Sequence, residues 1–85
     1  MNTLKVWIQT PQETLFFEDI QEARLPGTDG IVGILPNHAP MIIGLKAGIV
    51  HLSRRDSYSI HPGIASITKE GCLIITEQYE TLIRT

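Results

Sequence analysis

The chain lacks almost every feature that would give it chemistry of its own. Its one cysteine, Cys72, cannot close an internal disulfide, which fits a reducing compartment. A formal charge of −2, with 19% charged residues, leaves no basic footprint for nucleic acid and no polybasic anchor for a membrane surface. No apolar run reaches the roughly 18 residues needed to span a bilayer, and no charged segment leads into the short apolar stretch of an export signal. The phosphate-cradling G-x-x-x-x-G-K-[ST], the dinucleotide G-x-G-x-x-G, the zinc H-E-x-x-H, the nucleophile elbow G-x-S-x-G and paired C-x-x-C are all missing. These absences argue against an enzyme and imply no cofactor and no metal.

What is present is a folded chain of strands. Hydrophobic residues make up 42% of the 85 positions, too many for a disordered segment. At this length residues 1–85 form one domain, and only about 60% of the unfolded surface can be buried. Leu4, Val6 and Ile8 alternate with Lys5, Trp7 and Gln9, which predicts a half-buried first strand ended by Thr10-Pro11. The run from Phe16 to Leu25 loses its alternation: Ile20 and Leu25 differ by an odd number, so a bulge near Gln21 or Glu22 is needed to turn both inward. Short apolar runs follow at Ile31 to Leu35, Met41 to Leu45 and Gly48 to Leu52. Arg54-Arg55-Asp56-Ser57 reads as a polar turn into Tyr58-Ser59-Ile60, and Pro62-Gly63 precedes another strand. Ile64 to Thr68 and Cys72 to Thr76 flank a hairpin loop, Lys69-Glu70-Gly71. Turn signals every 8–12 residues, roughly, with no sustained 3.6 period, predict a small antiparallel β-sandwich of two packed sheets with tight Gly/Pro turns.

Several of these strands are apolar on both faces, whereas a free-standing sandwich wets one face of each sheet. Some outer surface is therefore expected to be covered by another element or chain. Trp7 points the same way, since alternation places it on the side of Lys5 and Gln9; it reads either as an interface aromatic or as a lid on its own sandwich.

Leu25 to Pro40, LPGTDGIVGILPNHAP, carries three glycines, three prolines and one histidine around a short apolar strand. Gly27 and Gly30 bracket Thr28-Asp29 as a tight turn, and Pro36-Asn37-His38-Ala39-Pro40 excludes helix. A stiff exposed loop on a sheet scaffold is a recognition element. The remaining chemical candidates reduce to structure. His38, His51 and His61 have no short ligand spacing, Cys72 reads as a small core residue, and Glu18, Asp19 and Glu22 read as a wet strand face. Arg54-Arg55 is a solvated hairpin tip or a contact to an acidic partner.

The central block LPGTDGIVGILPNHAPMIIGLKAGIV resembles the epsilon subunit family of F-type ATP synthases, whose N-terminal β-sandwich carries L-P-G-x-x-G-x-x-G-I-L-P-x-H-A-P followed by an L-K-x-G turn. The similarity begins at LKVWIQTPQETLFFEDI and continues through Pro62-Gly63 and TKEGCLIITE, so it covers nearly the whole chain. In most members a helical hairpin follows the sandwich, and this chain stops near where it would begin. That implies either a naturally short member or an isolated domain, and a subunit that does not inhibit through such a hairpin.

The resemblance implies a central-stalk subunit that clamps gamma to the c ring, couples ion flow to ATP synthesis and performs no chemistry of its own. It would sit on the cytoplasmic face of the bacterial plasma membrane, peripheral, touching the membrane only through the complex. By this resemblance Gly27, Thr28, Asp29, Gly30 and Ile31 face the c ring, and Thr10, His38, Ala39, Pro40, Met41, Ile42 and Ile43 face gamma. Many members carry an acid where this chain has Ile31, which implies an apolar contact there, and Ala47 replaces a proline common before the Gly48 turn. The alternative is a stand-alone sandwich that self-associates through its apolar face; self-association of the isolated chain is compatible with both readings.

Overall fold

Alternation becomes architecture at the first strand of the computed structural model, which describes residues 2–82. Strand β1 (Leu4–Gln9) buries Leu4, Val6 and Ile8 completely or nearly so, while Lys5 and Gln9 are exposed. The others are β2 (Thr14–Ile20), β3 (Ala23–Gly27), β4 (Gly30–Ile34), β5 (Met41–Leu45), β6 (Gly48–Leu52), β7 (Ser57–Ile60), β8 (Gly63–Ile67), β9 (Gly71–Thr76) and β10 (Tyr79–Leu82). No helix occurs among the described residues.

The strands form one continuous hydrogen-bonded path, β10-β7-β6-β3-β5-β8-β9-β1-β2, with β4 paired to β3 beside it. The path curls over to make the two layers of a sandwich. One layer is β10-β7-β6-β3-β4, and the other is β5-β8-β9-β1-β2. They close on a core in which Ala23, Leu25, Ile34, Val50 and Ile60 meet Val6, Ile8, Ala65, Ile67 and Ile74. The layers join where β3 exchanges partners. Its start pairs with β6 (Ala23↔Leu52, Arg24↔His51) and its end with β5 (Gly27↔Leu45). Pro26, which has no N–H, lies at that exchange, and its carbonyl accepts the Lys46 N–H at 2.9 Å.

Two details differ from the alternation reading. The slip in the second run is split between two devices. An irregularity in the β1–β2 ladder, where Leu4 faces Ile20 but Val6 faces Phe17, coincides with Asp19 at φ 58°. The chain then breaks at Gln21-Glu22 and crosses to the other layer, so Ile20 and Leu25 are both fully buried but in different strands. In addition, one pair is parallel: β1 runs alongside β9 (Lys5↔Gly71 to Gln9↔Ile75). Strands so far apart in sequence have no hairpin to impose an antiparallel direction.

That parallel contact is tight at one glycine. A Cβ on Gly71 would run into the Lys5 backbone carbonyl. Gly44 is different, since a Cβ there meets only the Thr28 side chain, at 3.5 Å. Gly71→Ala is therefore expected to destabilise the fold by about 2–3 kcal/mol in urea melts, and Gly44→Ala to be close to neutral.

Cys72, fully buried on β9, has its thiol pushed up to about 12 by burial. An unfolded thiol ionises near about 8.5. Above that pH the unfolded chain has lost a proton that the folded chain keeps, so stability falls as pH rises toward 12. Between pH 9 and 10 this contribution is about 1.2 kcal/mol per unit. The slope should be shallower by this amount in Cys72→Ala, compared by denaturant titration at each pH.

Candidate functional site

The turn between β3 and β4 is a two-residue hairpin loop. Gly27 and Gly30 face each other, with Thr28 and Asp29 exposed at the tip. Neither tip residue has positive φ; Gly30, at φ 131°, takes the conformation that a side chain would resist. A Cβ on Gly27 would sit 2.6 Å from the Gly30 carbonyl oxygen, so both glycines are required by the turn. The Thr28 N–H donates to the Gly44 carbonyl at 3.0 Å, which ties the tip to β5 in the other layer.

This tie makes a groove of about 390 Å³ between the turn and β5. Gly27, Thr28, Asp29, Gly30 and Ile31 form one wall, and Met41, Ile42 and Ile43 the other. The five residues that the resemblance assigned to the ring thus share one depression with three of the seven it assigned to gamma; Thr10, His38, Ala39 and Pro40 lie outside it. Ile31 and Ile42, at its rims, are 78% and 75% exposed, the highest values among the large apolar side chains.

His38 lies on the loop from β4 to β5, where Asn37 adopts φ 62°, a conformation asparagine tolerates. The His38 Nδ1 donates to the Ala39 carbonyl at 2.7 Å. A carbonyl can only accept, so Nδ1 carries the proton and Nε2 is the free position. Ala39 and Pro40 are exposed beside it.

Thr10 lies elsewhere, buried at the end of β1, where its hydroxyl organises the β1–β2 turn. It accepts from the Gln12 and Glu13 N–H groups, each at 3.2 Å, and donates to the Glu13 carbonyl. It borders a second groove, of about 610 Å³, with Pro62, Ile64 and Ile75.

The outer face of the β5-β8-β9-β1-β2 layer carries apolar side chains that alternation alone under-weights. Register aligns Ile42, Ser66, Leu73 and Trp7 in one row, and Gly44, Ile64 and Ile75 in the next. Trp7 is half-buried because Phe16, its cross-strand partner, stacks on it at 5.3 Å. Trp7 was expected outward; Phe16 was missed, although its position opposite Trp7 follows once the β1–β2 register is known. Leu35 lies outside β4 and is exposed.

Among the described residues no group of three or more His, Cys, Asp or Glu side chains is placed to hold a metal ion. His51 bonds Ser57 Oγ through Nδ1 at 3.0 Å, and the His61 carbonyl accepts the Thr76 hydroxyl at 2.8 Å. Glu18 and Asp19 are exposed and Glu22 half-buried.

Residues 3–82 match the β-sandwich domain of the ATP synthase delta/epsilon chain family. The chain is 37% identical over 81 residues to the ATP synthase epsilon chain of Rickettsia prowazekii, covering 88% of this chain and 72% of that one. It is 33% identical over 86 residues to the epsilon chain of Gluconacetobacter diazotrophicus, covering 96% of this chain but 61% of that one. The fold is similar to a chain of the Euglena gracilis mitochondrial ATP synthase OSCP/F1/c-ring structure, with TM-score 0.85 and 17% identity over 95% of this chain and 54% of that one. A chain of the Tetrahymena thermophila mitochondrial ATP synthase central stalk/c-ring gives TM-score 0.79 at 11% identity, over 92% of this chain and 66% of that one. This chain belongs to the ATP synthase delta/epsilon family and carries its β-sandwich domain.

Proposed function

We propose that this protein is a non-catalytic central-stalk subunit of a rotary F-type ATP synthase that holds gamma to the c ring, so that ion-driven rotation reaches the catalytic head. The observation that carries this reading is the shared groove. A glycine-pinned turn and an apolar strand, fixed to each other by the Thr28–Gly44 backbone bond, offer two contact surfaces on one stiff body. A part that transmits torque needs such surfaces not to shear, and closed β ladders resist opening more than loops do. Family membership and likeness to chains of c-ring assemblies support it.

In this reading Gly27 to Ile31 meet the ring. Asp29 offers a carboxylate to a cationic loop residue, and Ile31 adds an apolar contact. His38 to Ile43 meet gamma, with Thr10 shaping the neighbouring end of the sandwich. No helix among the described residues is long and apolar enough to cross a membrane, and the proposed location is peripheral, on the cytoplasmic face of a bacterial plasma membrane. The exposed outer strip of Ile42, Ile64, Ile75 and Phe16 favours a second reading, a self-associating binding module. It would give a monodisperse homodimer with no affinity for gamma in sedimentation experiments.

Co-purification with gamma and with c rings tests the assignment. Asp29→Lys should reduce ring attachment several-fold while leaving gamma binding intact, because an exposed ion pair contributes about 0–1 kcal/mol and its reversal adds repulsion. Equal retention on both partners by Asp29→Lys would show that the turn does not face the ring. Ile42→Thr, which keeps a β-branched side chain in β5, should leave the melting temperature nearly unchanged and weaken gamma binding by about 1.5–3 kcal/mol, the worth of burying such an apolar side chain. Unaltered gamma affinity would remove β5 from the contact.

A further inference from the structure

The far end of β3 holds a feature that neither stalk contact uses. Arg24 on β3 is in register with His51 on β6, and the turn after β6 brings up Arg54 and Arg55. With Ser53 and Ser57 these residues line a groove of about 530 Å³ floored by the buried Leu52. Three arginines line it with one carboxylate, Glu22, whose Oε1 lies 3.4 Å from Arg24 Nε. Asp56, on the same turn, does not line the groove. This concentration of positive charge occurs in a chain whose net charge is −2.

The groove is held in shape by hydrogen bonds to the backbone. Ser53 Oγ accepts the Gln21 and Glu22 N–H groups at 2.8 and 3.1 Å, and the Ser53 N–H donates to the Glu22 carbonyl. The Ser53 hydroxyl proton therefore remains available as a donor. Arg55 Nη2 donates to the Glu18 carbonyl at 3.3 Å, which anchors one end of its fork and leaves its other N–H groups. Arg54 adopts φ 61°, where a glycine would be easier, so the tip presents a cation from a position that local geometry disfavours. The His51–Ser57 pair offers one free proton donor in either tautomer.

We propose that this groove binds a di- or triphosphate group. Guanidinium forks match phosphate oxygens in pairs, and three of them around one depression suit several adjacent anionic oxygens better than a single one. No Trp, Tyr or Phe lines the groove, so recognition rests on the phosphate chain and not on a stacked base. Arg24 is about 10 Å along β3 from the Gly27 turn, at roughly 3.3 Å per residue. The site is independent of the ring and gamma assignments.

Amide chemical-shift titration of the whole chain with inorganic triphosphate tests the proposal, with orthophosphate, a nucleoside triphosphate and a polyglutamate peptide in parallel arms. Saturable shifts confined to residues 22–24 and 51–57 are expected, with triphosphate bound about tenfold more tightly than orthophosphate and the nucleotide within a few-fold of triphosphate. Added salt should weaken all of them. Arg55→Ala should lower triphosphate affinity about tenfold. Arg54→Gly should do the same while raising the melting temperature, since glycine suits that φ, so lost binding cannot be ascribed to unfolding. Non-saturating shifts, unchanged binding in both variants, or a peptide bound in preference to triphosphate would overturn the assignment. A nucleotide bound far more tightly than triphosphate would overturn recognition by the phosphate chain alone.

Discussion

The fold depends on one five-residue strand that belongs to both layers. β3 pairs along its whole length with β4 on one side, and on the other is shared between β6 and β5. A strand in a flat sheet keeps one neighbour per side; this one changes neighbour because Pro26 leaves a donor out of the ladder where the change occurs. Gly48 fits against the Pro26 ring, where a Cβ would come within 2.7 Å. The Lys46–Pro26 and Thr28–Gly44 backbone bonds then carry the ladder into the second layer. Without that exchange Leu25 and Val50 would face solvent instead of Ile8 and Ile74.

The same strand separates two grooves of different lining. Its Gly27 end fixes the turn that borders the apolar groove, and its Ala23 end fixes the arginine-lined one. Both are fixed by hydrogen bonds to the main chain, one through the Thr28 N–H and the other through the Ser53 hydroxyl and N–H. The long aromatic contacts are placed apart from both. Phe17 and Tyr58 lie 5.3 Å apart between the layers, and Tyr58 meets Tyr79 edge-on at 6.1 Å. Tyr79 in turn donates to Glu13 Oε2 at 2.9 Å and ties β10 to the β1–β2 turn. The anionic neighbour and burial raise the Tyr79 hydroxyl above its ordinary range, which keeps it the donor.

How much was legible in the sequence follows from how local each cause is. Leu4, Val6 and Ile8 announce β1 because period-two burial is written in adjacent residues, and Gly27-Thr28-Asp29-Gly30 announces its turn because two glycines do what other residues resist. The non-local features were hidden. The β1–β9 pair depends on residues more than sixty positions apart. β10, Tyr79–Leu82, has a mixed sequence held in place by β7 and by the Glu13 contact, so it carried no strand signal of its own. The site was legible as a turn and a loop, by family resemblance. Its groove was not, because the meeting of Ile31 with Ile42 requires β3 to switch layers.

The exposed isoleucines separate what folding requires from what contact requires. Along β4 and β5, Ile34 and Leu45 are buried, whereas Ile31 and Ile42 point outward. Folding needs a stiff, β-favouring side chain at the outward positions, and threonine supplies that stiffness with a polar surface. The chain does use threonine at Thr14 and Thr81, both exposed in strands. β-propensity therefore accounts for the shape of Ile31 and Ile42 but not for their apolar character, and it accounts for neither property in Phe16, Leu35 or Met41. Exposed apolar surface is unfavourable in proportion to its area, and where it is contiguous instead of scattered singly it marks a contact site. The clustering at the Thr28–Gly44 junction is thus a cost to the isolated chain, and a bound partner would remove it.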